Sequence, residues 1–186
     1  MENKLLDKVA RSLSVEMPYA KSMDRYLDQI IKDIRPLGED LREEEYYLEK
    51  PWLEIRDDVH FHKAILHFFN EGGEYLRSVD GDVSGGSWRY MERSNKLLIE
   101  HSGGAELYDL AFLDGKFFIL DKHGDQERLG QRKYTVLIHE PLGKRLEWRD
   151  AMEYLYNSYR NKNTYYITIV LIILTLIAIM VALSVW

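Results

Sequence analysis

Residues 96–121 read KLLIEHSGGAELYDLAFLDGKFFILD. Three apolar runs are separated by two clusters of turn-forming residues, Ser102-Gly103-Gly104 and Asp114-Gly115. Within 96–101 and 106–112 apolar and polar residues alternate, the period of a half-buried strand. Asp-Gly accepts the backbone of a tight hairpin, so Asp114-Gly115 predicts a turn between two antiparallel strands.

The same grammar extends outward. Strand-like runs fall at 52–56, 62–69, 74–78, 87–92, 96–101, 106–112, 116–121 and 133–139, and the further separators are Glu71-Gly72-Gly73, Asp80-Gly81-Asp82, Gly85-Gly86 and His123-Gly124-Asp125. Up to eight short strands at such spacing predict an antiparallel meander, and closure into a barrel or sandwich removes its exposed edges. The fold class expected is α+β: this β domain over 51–142, preceded by a helical arm over 1–50 and followed by a juxtamembrane helix over 143–163 and a transmembrane helix over 164–186.

In the arm, Leu5, Leu6, Val9 and Leu13 place a helix over 3–14, which Pro18 ends. Tyr26, Leu27, Ile30, Ile31 and Ile34 place a second helix over about 21–34, stopped by Arg35-Pro36. The acidic run over 39–45 reads as a solvated face. Further on, Trp148, Met152, Leu155 and Tyr159 share one face of a helix over 146–161. That face suits either a membrane interface or the β domain.

From Asn163 to Trp186 there is no charged residue, and 167–186 holds thirteen Ile, Leu or Val. Twenty residues span about 30 Å as a helix, the thickness of a hydrocarbon core. Tyr165 and Tyr166 at one end and Trp186 at the other form an aromatic belt, which Trp148 and Tyr159 extend. Arg149, Arg160 and Lys162 precede the run and place its N-terminal side in the cytoplasm. The first residues carry charge and no long apolar stretch, so they do not read as a signal peptide. The expectation is a tail-anchored, single-pass protein of a bacterial inner membrane. Thr168, Thr175 and Ala182 recur every seven residues with Ala178 beside them, a stripe that lets another helix approach.

The chain of 186 residues carries a net charge of −6, spread as −5 over 1–58, −3 over 59–142 and +2 over 143–162. No basic field of the kind nucleic acid requires is present. The absence of cysteine excludes disulfides, thiolate catalysis and Cys-ligated metals. His60 and His62 would share a face of one strand, but no third ligand stands at a diagnostic spacing with them. Asp80-Gly81-Asp82-Val83-Ser84-Gly85 opens like a calcium loop and fails at its twelfth position, which is Met91. No phosphate loop, dinucleotide fingerprint or nucleophile elbow occurs. The reading is therefore neither an enzyme nor a holder of a cofactor or metal. In the loop over 124–133, Arg128, Arg132 and Lys133 read as solvated, with contact to an acidic partner or lipid headgroups as the alternative.

Gly86-Ser87-Trp88-Arg89-Tyr90, Asn95 to Glu100, Tyr108 to Asp114 and Phe117 to Leu120 together resemble the small bacterial lipocalin-like domains, over about 52–140. Those domains show a Gly-x-Trp strand followed by three strands of alternating pattern. The resemblance implies a barrel plugged at one end by Trp88, and an interior in which Trp88, Tyr108, Phe112 and Phe118 would line a site for an apolar or lipid-like small molecule. The leading functional expectation is an adaptor or accessory subunit acting at a membrane through protein partners or copies of itself. The alternative is a membrane-tethered binding module for such a ligand.

Overall fold

The computed structural model describes residues 20–185 apart from 59, 125 and 127–130, and only the backbone of 160–169, 178, 182, 184 and 185. The helix expected over 3–14, Arg128 and Trp186 lie outside the described residues.

Eight strands form one closed barrel in which each pairs antiparallel with its neighbour in sequence and the last pairs with the first. They are β1 (Trp52–Ile55), β2 (Ile65–Phe69), β3 (Glu74–Val79), β4 (Asp82–Met91), β5 (Lys96–His101), β6 (Gly104–Leu113), β7 (Phe117–Lys122) and β8 (Tyr134–His139). A barrel, not a sandwich, thus resolves the edge problem. The turns follow from residue chemistry. Asp80 and Gly81 both have positive φ, 53° and 98°, as a two-residue type I′ turn requires. At the β6–β7 turn the Asp114 carboxylate accepts from Lys116 N and Phe117 N at 2.7 and 2.6 Å.

Gly85-Gly86 is not the turn its composition predicts; it lies inside β4. A Cβ on Gly86 would sit 2.1 Å from the Glu100 carbonyl oxygen of β5, so glycine is used there for close approach of two backbones. His60 and His62 also depart from expectation: they precede β2 in an irregular segment and share no strand face.

Two apolar clusters divide the core. The inner one holds Trp52, Phe69, Trp88, Leu97, Phe118 and Leu137 at one end of the barrel. The segment before β1 closes that end. Tyr47 packs on Phe69, Trp88 and Phe118, its hydroxyl donates to Leu41 O at 2.9 Å, and Trp52 Nε1 donates to Tyr47 O at 2.9 Å.

The outer cluster joins barrel and helices. Helix α1 (Met23–Ile34) begins at Ser22, whose hydroxyl accepts from Arg25 N, and the Asp57 carboxylate accepts from Met23 N at 2.7 Å. Its buried face of Met23, Tyr26, Leu27, Ile30 and Ile34 packs with Phe117, Ile119, Val136 and Ile138 on the barrel's outside. Asp28 binds both Lys133 Nζ at 2.6 Å and the Tyr134 hydroxyl at 2.9 Å.

After a single turn, α2 (Glu140–Gly143), helix α3 runs over Trp148–Val185 without a glycine or proline to break it. Ala151, Met152, Leu155 and Tyr159 are buried in the outer cluster. Beyond them Val170, Leu171, Ile172, Ile173, Leu174, Leu176 and Ile177 are each about half exposed or more. Among the described residues no helix is long and apolar enough to cross a membrane. The fold shown is an eight-stranded antiparallel barrel with a few helices, and it leaves the expected transmembrane span unsupported.

Candidate functional site in the open end of the barrel

Inward positions change character along the strands. From the closed end outward, β1 presents Trp52, Glu54 and then Arg56 at its end. β3 presents Tyr75 then Arg77, β5 Leu97, Ile99 and His101, and β6 Leu110, Tyr108 and Glu106. β7 presents Phe118, Leu120 and Lys122, and β8 Leu137 then Thr135. Because strand side chains alternate, each step of two residues moves one layer along the barrel axis. The aromatic layer is buried. The polar layers leave a cavity of about 590 Å³.

At its floor lies a chain of buried polar groups. The Tyr75 hydroxyl is 2.6 Å from His67 Nδ1, and His67 Nε2 is 3.2 Å from Glu54 Oε2. The other carboxylate oxygen, Oε1, accepts from Arg56 Nε at 2.7 Å and Arg132 Nη2 at 3.0 Å. An ionised Glu54 only accepts, so Nε2 carries the imidazole proton and Nδ1 accepts a hydrogen bond from the Tyr75 hydroxyl. On the facing wall Glu106 accepts from the Tyr108 hydroxyl and from Lys122 Nζ, with His101 Nε2 3.8 Å away.

These contacts set the protonation states. Burial pushes the Glu54 carboxyl up, but hydrogen bonds from His67 and Arg56 outweigh it and hold the group far below the usual carboxylate range. Burial pushes His67 down, against the pull of Glu54 and with Arg77 and Arg56 adding to the depression. Burial raises the Tyr75 phenol, helped by the Glu54 and Glu106 charges and opposed by Arg77, and burial with the bond to Glu106 raises Tyr108. For Glu106 the Lys122 and Tyr108 bonds overcome burial and lower the carboxyl. The resting site is thus carboxylates, neutral His67, neutral phenols and charged guanidiniums.

A pH dependence follows. His67 binds its proton less readily folded than unfolded, so stability is full above its ordinary 6.5 and falls as pH drops below that value, by up to about 1.4 kcal/mol per pH unit. Glu54 and Glu106, lowered in the fold, add their own loss below about their ordinary 4.5. Urea midpoints at pH 7.5, 6.5 and 5.5 should decrease, and His67→Asn should flatten that part of the curve. Equal midpoints across it would show that His67 is not held neutral.

The residues expected to line a ligand site separate. Tyr108 lines the cavity; Trp88 and Phe118 belong to the packed end, where Trp88 Nε1 donates to Asn70 O at 2.9 Å. Phe112 points outward and packs edge-on against Tyr159 at 4.9 Å. A bulge between Leu110 and Phe112 reverses the alternation that would have turned Phe112 inward.

The residues expected at a membrane interface separate too. Tyr159 is buried under the barrel, with its hydroxyl on Asp114, and Trp148 packs at the edge of the outer cluster beneath the Arg149 guanidinium. Tyr165, Tyr166, Thr168, Ala178 and Ala182 have side chains outside the described set; Thr175 bonds Leu171 O in its own helix at 2.7 Å. The described loop cations part ways: Arg132 turns into the barrel to Glu54, and Lys133 pairs with Asp28 of α1 on its outside.

Glu54, His67, Tyr75, Arg77 and Glu106 were not anticipated as a site. Their signal is a polar residue at inward parity at the same end of successive strands. Among the described residues no cluster of three or more His, Asp or Glu forms a metal site. No family model, no curated protein and no solved structure matches the chain.

Proposed function

We propose that this protein is a binding module that holds a small polar molecule in the open end of its barrel and is tethered to a membrane by the far end of α3. The cavity carries the reading: about 590 Å³ lined by convergent charged and hydroxyl groups, with the buried aromatic layer beneath them. Ligand sites are concave, of this size, and use a few placed polar groups for orientation. The lining favours a polar ligand over the apolar one implied by the lipocalin-like resemblance. The tether is supported by the uncharged run over 163–186 and by exposure of the large apolar side chains described on α3 between Val170 and Leu183.

Thr135→Trp would fill the cavity from β8 without touching the aromatic floor. Full-length protein in mild detergent should carry or capture a small polar molecule, identified by native mass spectrometry, and the tryptophan variant should not. Equal capture by both proteins would place the ligand elsewhere. A second reading, an adaptor acting through protein contacts, draws on the same apolar stretch of α3 and its Thr168, Thr175 and Ala182 stripe. A stoichiometric protein partner co-purifying with an empty cavity would favour it.

A further inference from the structure

We infer that the ligand of this cavity carries an oxyanion, a carboxylate or phosphate, which docks on the guanidinium groups of Arg132 and Arg77; this rests on the binding-module reading above. The argument is one of unmatched donors. Four cationic side chains line the cavity, Arg56, Arg77, Lys122 and Arg132, along with two inward carboxylates, Glu54 and Glu106. Both carboxylates are already engaged. Glu54 accepts from Arg56, Arg132 and His67, and Glu106 from Lys122 and Tyr108. Asp57 and Asp58, also on the lining, accept backbone hydrogens from Met23 and His60.

Two guanidiniums are left with capacity. Arg132 spends Nη2 on Glu54, while its Nη1 is buried with no hydrogen-bond partner among the described residues. Arg77 lines the cavity and has no carboxylate within ion-pair reach among the described residues. A buried guanidinium N–H without an acceptor is costly, and an incoming oxyanion is the acceptor that fits its planar fork. His67 cannot take up the slack, since its Nδ1 and Nε2 are both occupied by Tyr75 and Glu54.

Soluble metabolites and lipid headgroups both present such an oxyanion. The test titrates full-length protein in mild neutral detergent with glycerol 3-phosphate, acetate, glucose and choline, and separately with mixed micelles of phosphatidylglycerol, following binding by calorimetry and by amide shifts of residues lining the cavity. An anion is expected to bind while glucose and choline do not. Saturation by glycerol 3-phosphate identifies a soluble ligand, and response only to the micelles identifies a headgroup. Arg132→Gln and Arg77→Gln should each weaken binding about ten- to a hundredfold. Arg132→Lys, which keeps the charge and loses the fork, should fall between Arg132→Gln and the parent protein. Occupancy by glucose or choline in preference to the anions would overturn the inference and leave the binding module standing. Anion binding undiminished in both glutamine variants would overturn it as well. No occupancy by any of the probes would sink both readings.

Discussion

Glu54→Ala is expected to destabilise the protein by about 3 kcal/mol, the low end of what breaking a buried ion pair costs. The side chain is 5% exposed and serves three donors on three different chain segments: Arg56 at the end of β1, His67 on β2 and Arg132 ahead of β8. Removing it leaves two guanidiniums facing each other without their shared counter-charge. Their side chains are 23% and 34% exposed, so water recovers part of the loss, which sets the lower figure. Glu54→Gln should cost distinctly less. Its carbonyl still accepts from the arginines, while its amide donates to His67 Nε2 and forces the proton onto Nδ1, so that His67 then donates to Tyr75. Urea denaturation gives the energies, and nitrogen chemical shifts of the His67 ring report the exchanged tautomer. Parent-like stability of the alanine variant would mean that the network does not hold the strands together.

Trp52→Ala should cost about 3–5 kcal/mol, the range for deleting a large buried aromatic. Trp52 is fully buried, packs against Phe118 at 5.7 Å and His139 at 6.1 Å, and bonds Tyr47 O, which would lose its partner. Trp52→Phe retains most of the packing and isolates the hydrogen bond, about 1 kcal/mol. Loss of Tyr47 ordering, followed by its ring resonances, should accompany the alanine change. A cost under about 1 kcal/mol would show that the closed end repacks freely.

These two positions also show where sequence reading succeeds. Trp52 sits in an apolar run, and such runs located all eight strands because turn chemistry is local: Asp80-Gly81 acts through its own backbone and Asp114 through its carboxylate on the two amides that follow Gly115. Gly85-Gly86 has the same composition, yet its use depends on Glu100 of the next strand, which local reading cannot see. Phe112 fails for a related reason. One extra residue at the bulge reverses the face of everything after it, and no residue type announces that bulge. The face of Met152, Leu155 and Tyr159 was legible as apolar, but sequence could not say whether lipid or barrel covers it. The polar site was hardest to read. Glu54, His67 and Arg77 meet across neighbouring strands, but Arg132 joins them only when the sheet closes, across 78 residues from Glu54.

That closure has a kinetic consequence. Seven of the eight strand pairings join consecutive strands through hairpins or short connections, contacts that form early at small entropic expense. The eighth, Trp52 against His139 and Ile55 against Val136, joins the two ends of the whole domain. Its loop entropy falls due only when the curled sheet is nearly complete. Since Glu54 lies on β1 and Arg132 just ahead of β8, the ion pair that floors the cavity spans this last seam. Assembly of the polar cavity and completion of folding are therefore a single event, and a chain arrested before the seam closes would be a sheet without a cavity.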